Sequence, residues 1–187
     1  MNENYIILHG SFGSSTGNWF PWLKKQLELK EKSVDVPQMP IGVGIQNYDN
    51  WANEFSKLTI NENTTIIAHS IAPIFVCKYL ILNKVKVKKL IFVCGFNNYL
   101  GIDKDFDSVN EPMYIDNYPD IKNYCNNIVC YCESCCESLL NSNKNVLHIL
   151  DLLFNENVID KNVFTQNKVS TINKWKMRYK TVGIVKK

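Results

Sequence analysis

The sequence predicts an α/β fold, a three-layer α/β/α sandwich with a mostly parallel sheet, and three observations predict it. Short β-rich runs alternate along the chain with helical patterns, which is typical of parallel strands joined by helical crossovers. Residues 71–82 are apolar around most of their circumference, as expected of a helix buried against a sheet. The 187 residues are 45% hydrophobic and 21% charged, a balance typical of a globular domain. We therefore expect one domain over residues 1–187.

The first third of the chain contains two strand patterns and two helix patterns. Residues 5–8 form an apolar run that ends at a loop rich in Gly and Ser, which predicts a buried strand. Residues 19–30 place apolar side chains at helical spacing between lysines and glutamates, which predicts an amphipathic helix. Residues 33–36 form a short β-rich run before a proline. Residues 48–58 repeat the helical spacing, and an asparagine or an aspartate at their start is the expected N-cap.

Four further elements are expected up to residue 132. Residues 64–68, 89–94 and 128–132 are rich in β-branched and apolar side chains, so we expect strands there. The apolar helix at residues 71–82 separates the first two of them. Because reactive groups in parallel sheets collect at the carboxyl ends of strands, the residues that follow these runs are the first candidates for a site.

The charge pattern argues against several classes of partner. The net charge is +3, and the 21 basic residues are scattered among 18 acidic ones except in a lysine-rich stretch at residues 84–89. That stretch has no interleaved aromatic residues, so we interpret it as a solvated turn and expect no nucleic acid partner. The N-terminal residues are not basic, and no apolar run is long enough for a signal peptide or a membrane span. We expect a cytoplasmic protein with no membrane partner and with reduced cysteines; the sequence identifies no protein partner.

Residues 68–72 have the pattern of a nucleophile elbow. Ser70 follows a β-rich run and precedes a helical pattern, and alanine occupies the positions two before and two after it, Ala68 and Ala72. A sharp strand-to-helix turn exposes the serine Oγ and leaves room only for small side chains at those two positions. Ser70 is therefore the expected nucleophile. The alternative is a serine that only caps the next helix.

The loop after the first strand is the expected partner of this turn. Acyl transfer needs two backbone N–H groups directed at the developing oxyanion. One would come from Ile71, and the other from Ser11 or Phe12, where Gly10 lets the backbone approach the substrate. We assign His9 and Gly10 to the same oxyanion and substrate-binding loop. The alternative for these two residues is an ordinary strand exit.

Several motifs in order resemble one family. They are Ile7-Leu8-His9-Gly10, Asn18-Trp19-Phe20-Pro21-Trp22-Leu23, Pro37-Gln38-Met39-Pro40, Trp51, Ala68-His69-Ser70 and Val93-Cys94-Gly95-Phe96. The series resembles the small serine hydrolases related to retinoblastoma-binding protein 9, over residues 4–132. The resemblance implies a small α/β-hydrolase fold without a large lid, a Ser-Asp-His triad with Ser70 as nucleophile, no cofactor, and a small-molecule ester or amide as substrate.

Residues 133–187 diverge from that family. The expected aspartate after the strand at residues 128–132 is missing, and so is the expected Gly-Gly-His. Glu133 is the substitute acid by position, and His148 is the downstream histidine that could act as base; the alternatives are a surface glutamate and a histidine without a catalytic role. True divergence and a reading-frame shift both explain the change. Two functions follow: a serine hydrolase that forms an acyl-enzyme at Ser70, or a hydrolase-fold binding protein without a complete triad.

Five cysteines lie close together near the end of the family-like region. They are Cys125, Cys130, Cys132, Cys135 and Cys136. The spacing of Cys132 and Cys135 is found in zinc and redox sites, but no second pair and no histidines follow at suitable spacing. We therefore expect buried thiols and no metal site.

Overall fold

A parallel sheet forms the centre of the computed structural model, which describes residues 3–101, 104–115 and 121–131. Its strands are β1 Asn4–Leu8, β2 Ser33–Asp35, β3 Thr64–His69, β4 Lys89–Val93 and β5 Ile128–Tyr131. Their order is β2-β1-β3-β4-β5, and every neighbouring pair is parallel. The chain thus adds β2 on one side of β1, and then adds β3, β4 and β5 in turn on the other side. In such sheets the crevice lies at this reversal, outside the carboxyl ends of β1 and β3.

Four helices accompany the sheet in the described residues. They are α1 Phe20–Glu28, α2 Tyr48–Phe55, α3 Ala72–Asn83 and α4 Lys104–Asn110, with two short 3₁₀ turns at Glu111–Met113 and Ile121–Asn123. The five predicted strands and the three predicted helices are all present, with ends that differ by at most three residues. Helix α4 and the 3₁₀ turns were not predicted.

Local sequence explains the helix ends. Asn47 caps α2, because its side chain accepts a hydrogen bond of 2.9 Å from the backbone N–H of Asn50. Helix α3 is followed by its C-cap residue Lys84, whose left-handed φ of 54° terminates the helix. Asp107 of α4 accepts the backbone N–H groups of Leu100 and Gly101 at 3.0 and 3.2 Å, which ties the preceding loop to this helix.

The core lies on both faces of the sheet. Ile6, Leu8, Ile66 and Ala68 pack in one cluster with aromatic side chains of α2 and α3, chiefly Trp51, Phe55 and Phe75. Ile7 and Ile67 alternate with them along the strands and are also buried, so they face the opposite side, as does His69, which contacts Phe20 of α1. Helices therefore cover both faces, which confirms the predicted α/β/α sandwich.

The described residues belong to one compact unit, residues 1–132. The predictions for Glu133, His148 and the cysteines at positions 132, 135 and 136 lie outside the described residues. A single domain over residues 1–187 therefore stays a prediction. Within the described residues no helix is long and apolar enough to cross a membrane, and no three His, Cys, Asp or Glu side chains are grouped so that they could hold a metal ion.

Candidate active site

Ser70 lies on a sharp turn between β3 and α3. Its φ is 64°, in the left-handed region that few residues other than glycine adopt. Its backbone N–H donates a hydrogen bond of 3.0 Å to the carbonyl of Val93, at the end of the neighbouring strand β4. Ala68 and Ala72 are fully buried on either side. A larger side chain at either position would have to displace the core, which explains why both are small.

Gly10 approaches Ser70 so closely that no side chain fits between them. A Cβ atom at Gly10 would lie 2.4 Å from Ser70 Cβ and 2.7 Å from Ser70 Oγ. The chain then turns back, with the N–H of Gly13 donating to the carbonyl of Gly10 at 3.1 Å. Phe12 in this turn has a φ of 53°. The structure thus brings together the serine and the loop that the sequence had paired.

Gly95 occupies the corresponding place on the other side of the turn. A Cβ atom there would lie 3.0 Å from Cγ of Pro73 and 3.9 Å from the carbonyl oxygen of Ser70. The loops after β1 and β4 therefore both touch the Ser70 turn, through a glycine in each case. This follows from the strand order, since β3 lies between β1 and β4.

His9 is fully buried, and both of its ring nitrogens have partners within the protein. The backbone N–H of Met39 donates to Nε2 at 3.0 Å, so Nε2 must carry a lone pair. This hydrogen-bond pattern assigns the proton to Nδ1, which donates to the carbonyl of Gly10 at 2.8 Å. Burial lowers the pKa of His9 and keeps the ring neutral. His9 therefore holds the Gly10 loop against the loop after β2, and it makes no hydrogen bond to Ser70.

These residues lie inside a region shared with known proteins. The model of the serine hydrolase family matches residues 5–119. The chain belongs to the serine hydrolase family. It is 32% identical over 102 residues to Putative hydrolase YdeN of Bacillus subtilis (strain 168), which covers 51% of this chain and 52% of the relative. The chain thus spans about half the length of the curated relative it matches. The crystal structure of the ydeN gene product from B. subtilis superimposes with a TM-score of 0.58 at 25% identity, over 69% of this chain and 70% of the other.

His69 directly precedes Ser70 in this member of the family, and its side chain packs on the face of the sheet that α1 covers. Its ring meets Trp19 and Phe20 edge to face, at centroid distances of 6.0 and 5.9 Å. Nδ1 is buried and makes no hydrogen bond in the described part of the chain. Burial lowers the pKa of His69 to about 4, and the nearby ring of His9 adds a smaller electrostatic effect in the same direction. His69 is therefore neutral at physiological pH and is placed for packing.

A buried polar cluster next to the Gly10 loop was not predicted. Gln46 Nε2 shares its two hydrogens among three acceptors, Ser11 Oγ at 3.0 Å, Asn110 Oδ1 at 3.0 Å and the carbonyl of Val109 at 3.1 Å. Ser11 Oγ also hydrogen-bonds Asn110 Oδ1. Gln46 and Asn110 are 1% and 0% exposed. Gln46 Oε1 is buried and has no hydrogen-bond partner among the described residues. The hydrogen bonds of Gln46 Nε2 and Asn110 Oδ1 connect Ser11 to α4. No sequence signal marks these residues among the many amides of the chain.

Proposed function

We propose that this chain hydrolyses small esters or amides through an acyl-enzyme at Ser70. The observation that carries the proposal is the left-handed Ser70 between a strand and a helix, in contact with the backbone of Gly10. This is the context of a nucleophile elbow beside an oxyanion loop. Family membership and the hydrolase relative support the reaction class.

The proposed reaction has two steps. Ser70 Oγ attacks the substrate carbonyl carbon as its proton passes to a base, and the oxyanion accepts hydrogen bonds from the N–H of Ile71 and of Ser11 or Phe12. The intermediate collapses, the protonated alcohol or amine leaves, and water then hydrolyses the acyl-enzyme in the same way. His9 and Gly10 position the oxyanion loop. No step requires a cofactor.

The base in this proposal is His148, with Glu133 as the acid that orients it. The chain contains three histidines. His9 uses both ring nitrogens within the protein, and His69 packs against Trp19 and Phe20, so neither is placed to take the proton of Ser70. If the base is a histidine of this chain, it is His148.

We also place the chain with the small serine hydrolases related to retinoblastoma-binding protein 9, with residues 4–132 matching and residues 133–187 divergent. The order of the motifs, from His9-Gly10 to Cys94-Gly95-Phe96, supports this finer assignment. We further propose that the protein acts in the cytoplasm on a small molecule and has no membrane partner; the charge pattern supports the expectation of no nucleic acid partner.

The second candidate function is binding of a small molecule without turnover. One observation favours it: neither histidine of the described residues contacts the Ser70 hydroxyl. A serine without a base is a weak nucleophile, so such a site would hold a carbonyl compound without cleaving it.

A fluorophosphonate probe separates the two functions, because it labels only an activated serine. We expect intact-mass labelling of the wild type and of Ser33→Ala, which removes an exposed serine on β2, but not of Ser70→Ala. Folded wild type that stays unlabelled would reject the hydrolase and leave the binding protein.

A second comparison tests the proposed acid and base. Glu133→Gln and His148→Gln should each slow labelling at least about 100-fold, since loss of a triad member commonly costs 10³-fold or more. Glu137→Gln is the matched control, and it should label at the wild-type rate. Equal rates in all three variants would show that the proton goes elsewhere.

A further inference from the structure

Three phenylalanine rings connect the two loops that touch Ser70. Phe12 lies on the loop after β1 and Phe96 on the loop after β4, and Phe106 of α4 lies between them. The ring centroids of Phe12 and Phe106 are 6.4 Å apart, and those of Phe106 and Phe96 are 5.8 Å apart. We call this set, Phe12, Phe106 and Phe96, the aromatic bridge.

The aromatic bridge is adjacent to the reacting serine on both sides. Phe12 is two residues after Gly10, and Phe96 directly follows Gly95. Gly10 packs against Ser70 itself, and Gly95 lies beside Pro73 in the first turn of α3, close to the carbonyl of Ser70. A substrate whose carbonyl carbon reaches Ser70 Oγ therefore extends its remaining groups toward loops that carry these rings.

Phe12 has features that core packing does not explain. Its φ of 53° is costly for an aromatic residue, and the residue is 54% exposed to solvent. A buried ring would offset the strain through the hydrophobic effect, but this ring is only partly covered. Strained backbone that holds an exposed apolar side chain beside a reactive group is typical of a ligand contact.

The charges around the far end of the bridge restrict the ligand. Phe96 contacts Tyr114, which contacts Tyr99, at centroid distances of 6.4 and 5.5 Å. Burial and the nearby carboxylates of Asp107 and Glu111 raise the pKa of Tyr114 to about 12. The same carboxylates would repel an anionic substrate, so the surroundings argue against a negatively charged group.

We infer that the aromatic bridge binds an aromatic group of the substrate that carries no negative charge, so that aryl-bearing esters or amides are the preferred substrate class. The inference rests on the proposed function for the identity of the reacting serine. Aromatic pairs in offset or edge-to-face geometry add to the free energy of area burial, and both geometries are open to a ring placed on Phe12.

Binding is tested first without turnover, in the Ser70→Ala background. Methyl phenylacetate, benzyl acetate and ethyl acetate are titrated by ligand-observed NMR; the first carries its ring on the acyl side and the second on the alcohol side. We expect at least one of the two aryl-bearing esters to bind more tightly than ethyl acetate, and we expect Phe12→Ala and Phe106→Ala each to weaken that binding about tenfold. Phe12→Tyr should restore it. Leu82→Ala removes an exposed apolar side chain at the last turn of α3, and it should leave the affinity unchanged.

Turnover then gives an independent readout. In proteins that retain Ser70, we compare kcat/KM for the preferred aryl-bearing ester with kcat/KM for ethyl acetate. The ratio of the first to the second should fall about tenfold in Phe12→Ala and in Phe106→Ala. An unchanged ratio and unchanged affinities in both variants would overturn the inference, whether or not Ser70→Ala abolishes hydrolysis. Hydrolysis that survives Ser70→Ala would overturn the proposed function instead, while the binding result would still decide the inference.

Discussion

Gly10→Ala is the substitution for which the structure gives the clearest magnitude. The new Cβ would lie 2.4 Å from Ser70 Cβ and 3.2 Å from the carbonyl oxygen of His69, and two carbon atoms need about 3.5–4.0 Å. The serine or the loop must therefore move by about 1 Å. A displacement of that size at a reacting group costs about 100-fold in rate, and overpacking of this kind costs about 1–3 kcal/mol in stability. Gly10 does not have a positive φ, so an alanine there would not strain the backbone, and the expected effect is steric.

The assay is the second-order rate of fluorophosphonate labelling, measured together with the Tm. Gly17→Ala is the matched control in the same loop. The one tight contact of a Cβ there is Ser14 Oγ at 3.1 Å, and that side chain can rotate away, whereas the Ser14 backbone O and N at 3.5 and 3.8 Å are at ordinary contact distance. We expect labelling of Gly10→Ala to fall about 100-fold, and labelling of Gly17→Ala to change less than about threefold. A folded Gly10→Ala variant that labels at the wild-type rate would refute the contact between Gly10 and Ser70, and the oxyanion loop with it.

Three further substitutions test the surroundings of the site. The pKa of folded His69 is lowered to about 4, so between about pH 6.5 and 4 the unfolded chain binds a proton at this residue that the folded chain does not bind. As the pH falls over this range, the free energy of unfolding of the wild type, measured in urea, should therefore decrease by up to about 3 kcal/mol more than that of His69→Phe. Asn110→Ala removes the acceptor of the Ser11 hydroxyl, while Gln46 Nε2 keeps Ser11 Oγ and the carbonyl of Val109 as acceptors. The unpaired hydroxyl should lower the free energy of unfolding by about 1–3 kcal/mol, and a loss below about 0.5 kcal/mol would contradict the cluster. Asn47→Ala removes the cap of α2 and should cost about 1 kcal/mol in the same measurement, whereas Asn47→Gly should cost only a few tenths.

The strands and the first three helices could be predicted because hydrophobic periodicity is a local property. Helix α3 shows this best, since nearly all of its residues from Ala72 to Leu80 are buried and nearly all are apolar. Helix α4 shows the opposite. Its sequence, Lys-Asp-Phe-Asp-Ser-Val-Asn, contains two apolar residues among poor helix formers, so its conformation depends on contacts such as the hydrogen bonds of Asp107 to the preceding loop.

The candidate site divides in the same way. The Ser70 turn could be predicted because a strand, a small residue on each side of the serine and a helix follow one another in the sequence. The contacts of Gln46 could not, because they join residues that are 35 and 64 positions apart. The place of His9 beside Gly10 follows from the sequence, but its tautomer depends on a hydrogen bond from Met39, 30 residues away.

The strand order explains why one edge of the sheet carries the whole candidate site. Ser70 follows β3, Gly10 follows β1 and Gly95 follows β4, and these three strands are neighbours. Strand β5 is parallel to β4, so the chain leaves β5 at the same edge, two strand spacings or about 10 Å from β3. The acid and base of the proposal, Glu133 and His148, follow β5 in the sequence and lie outside the described residues. The substitutions at these two positions therefore have to be compared as a pair.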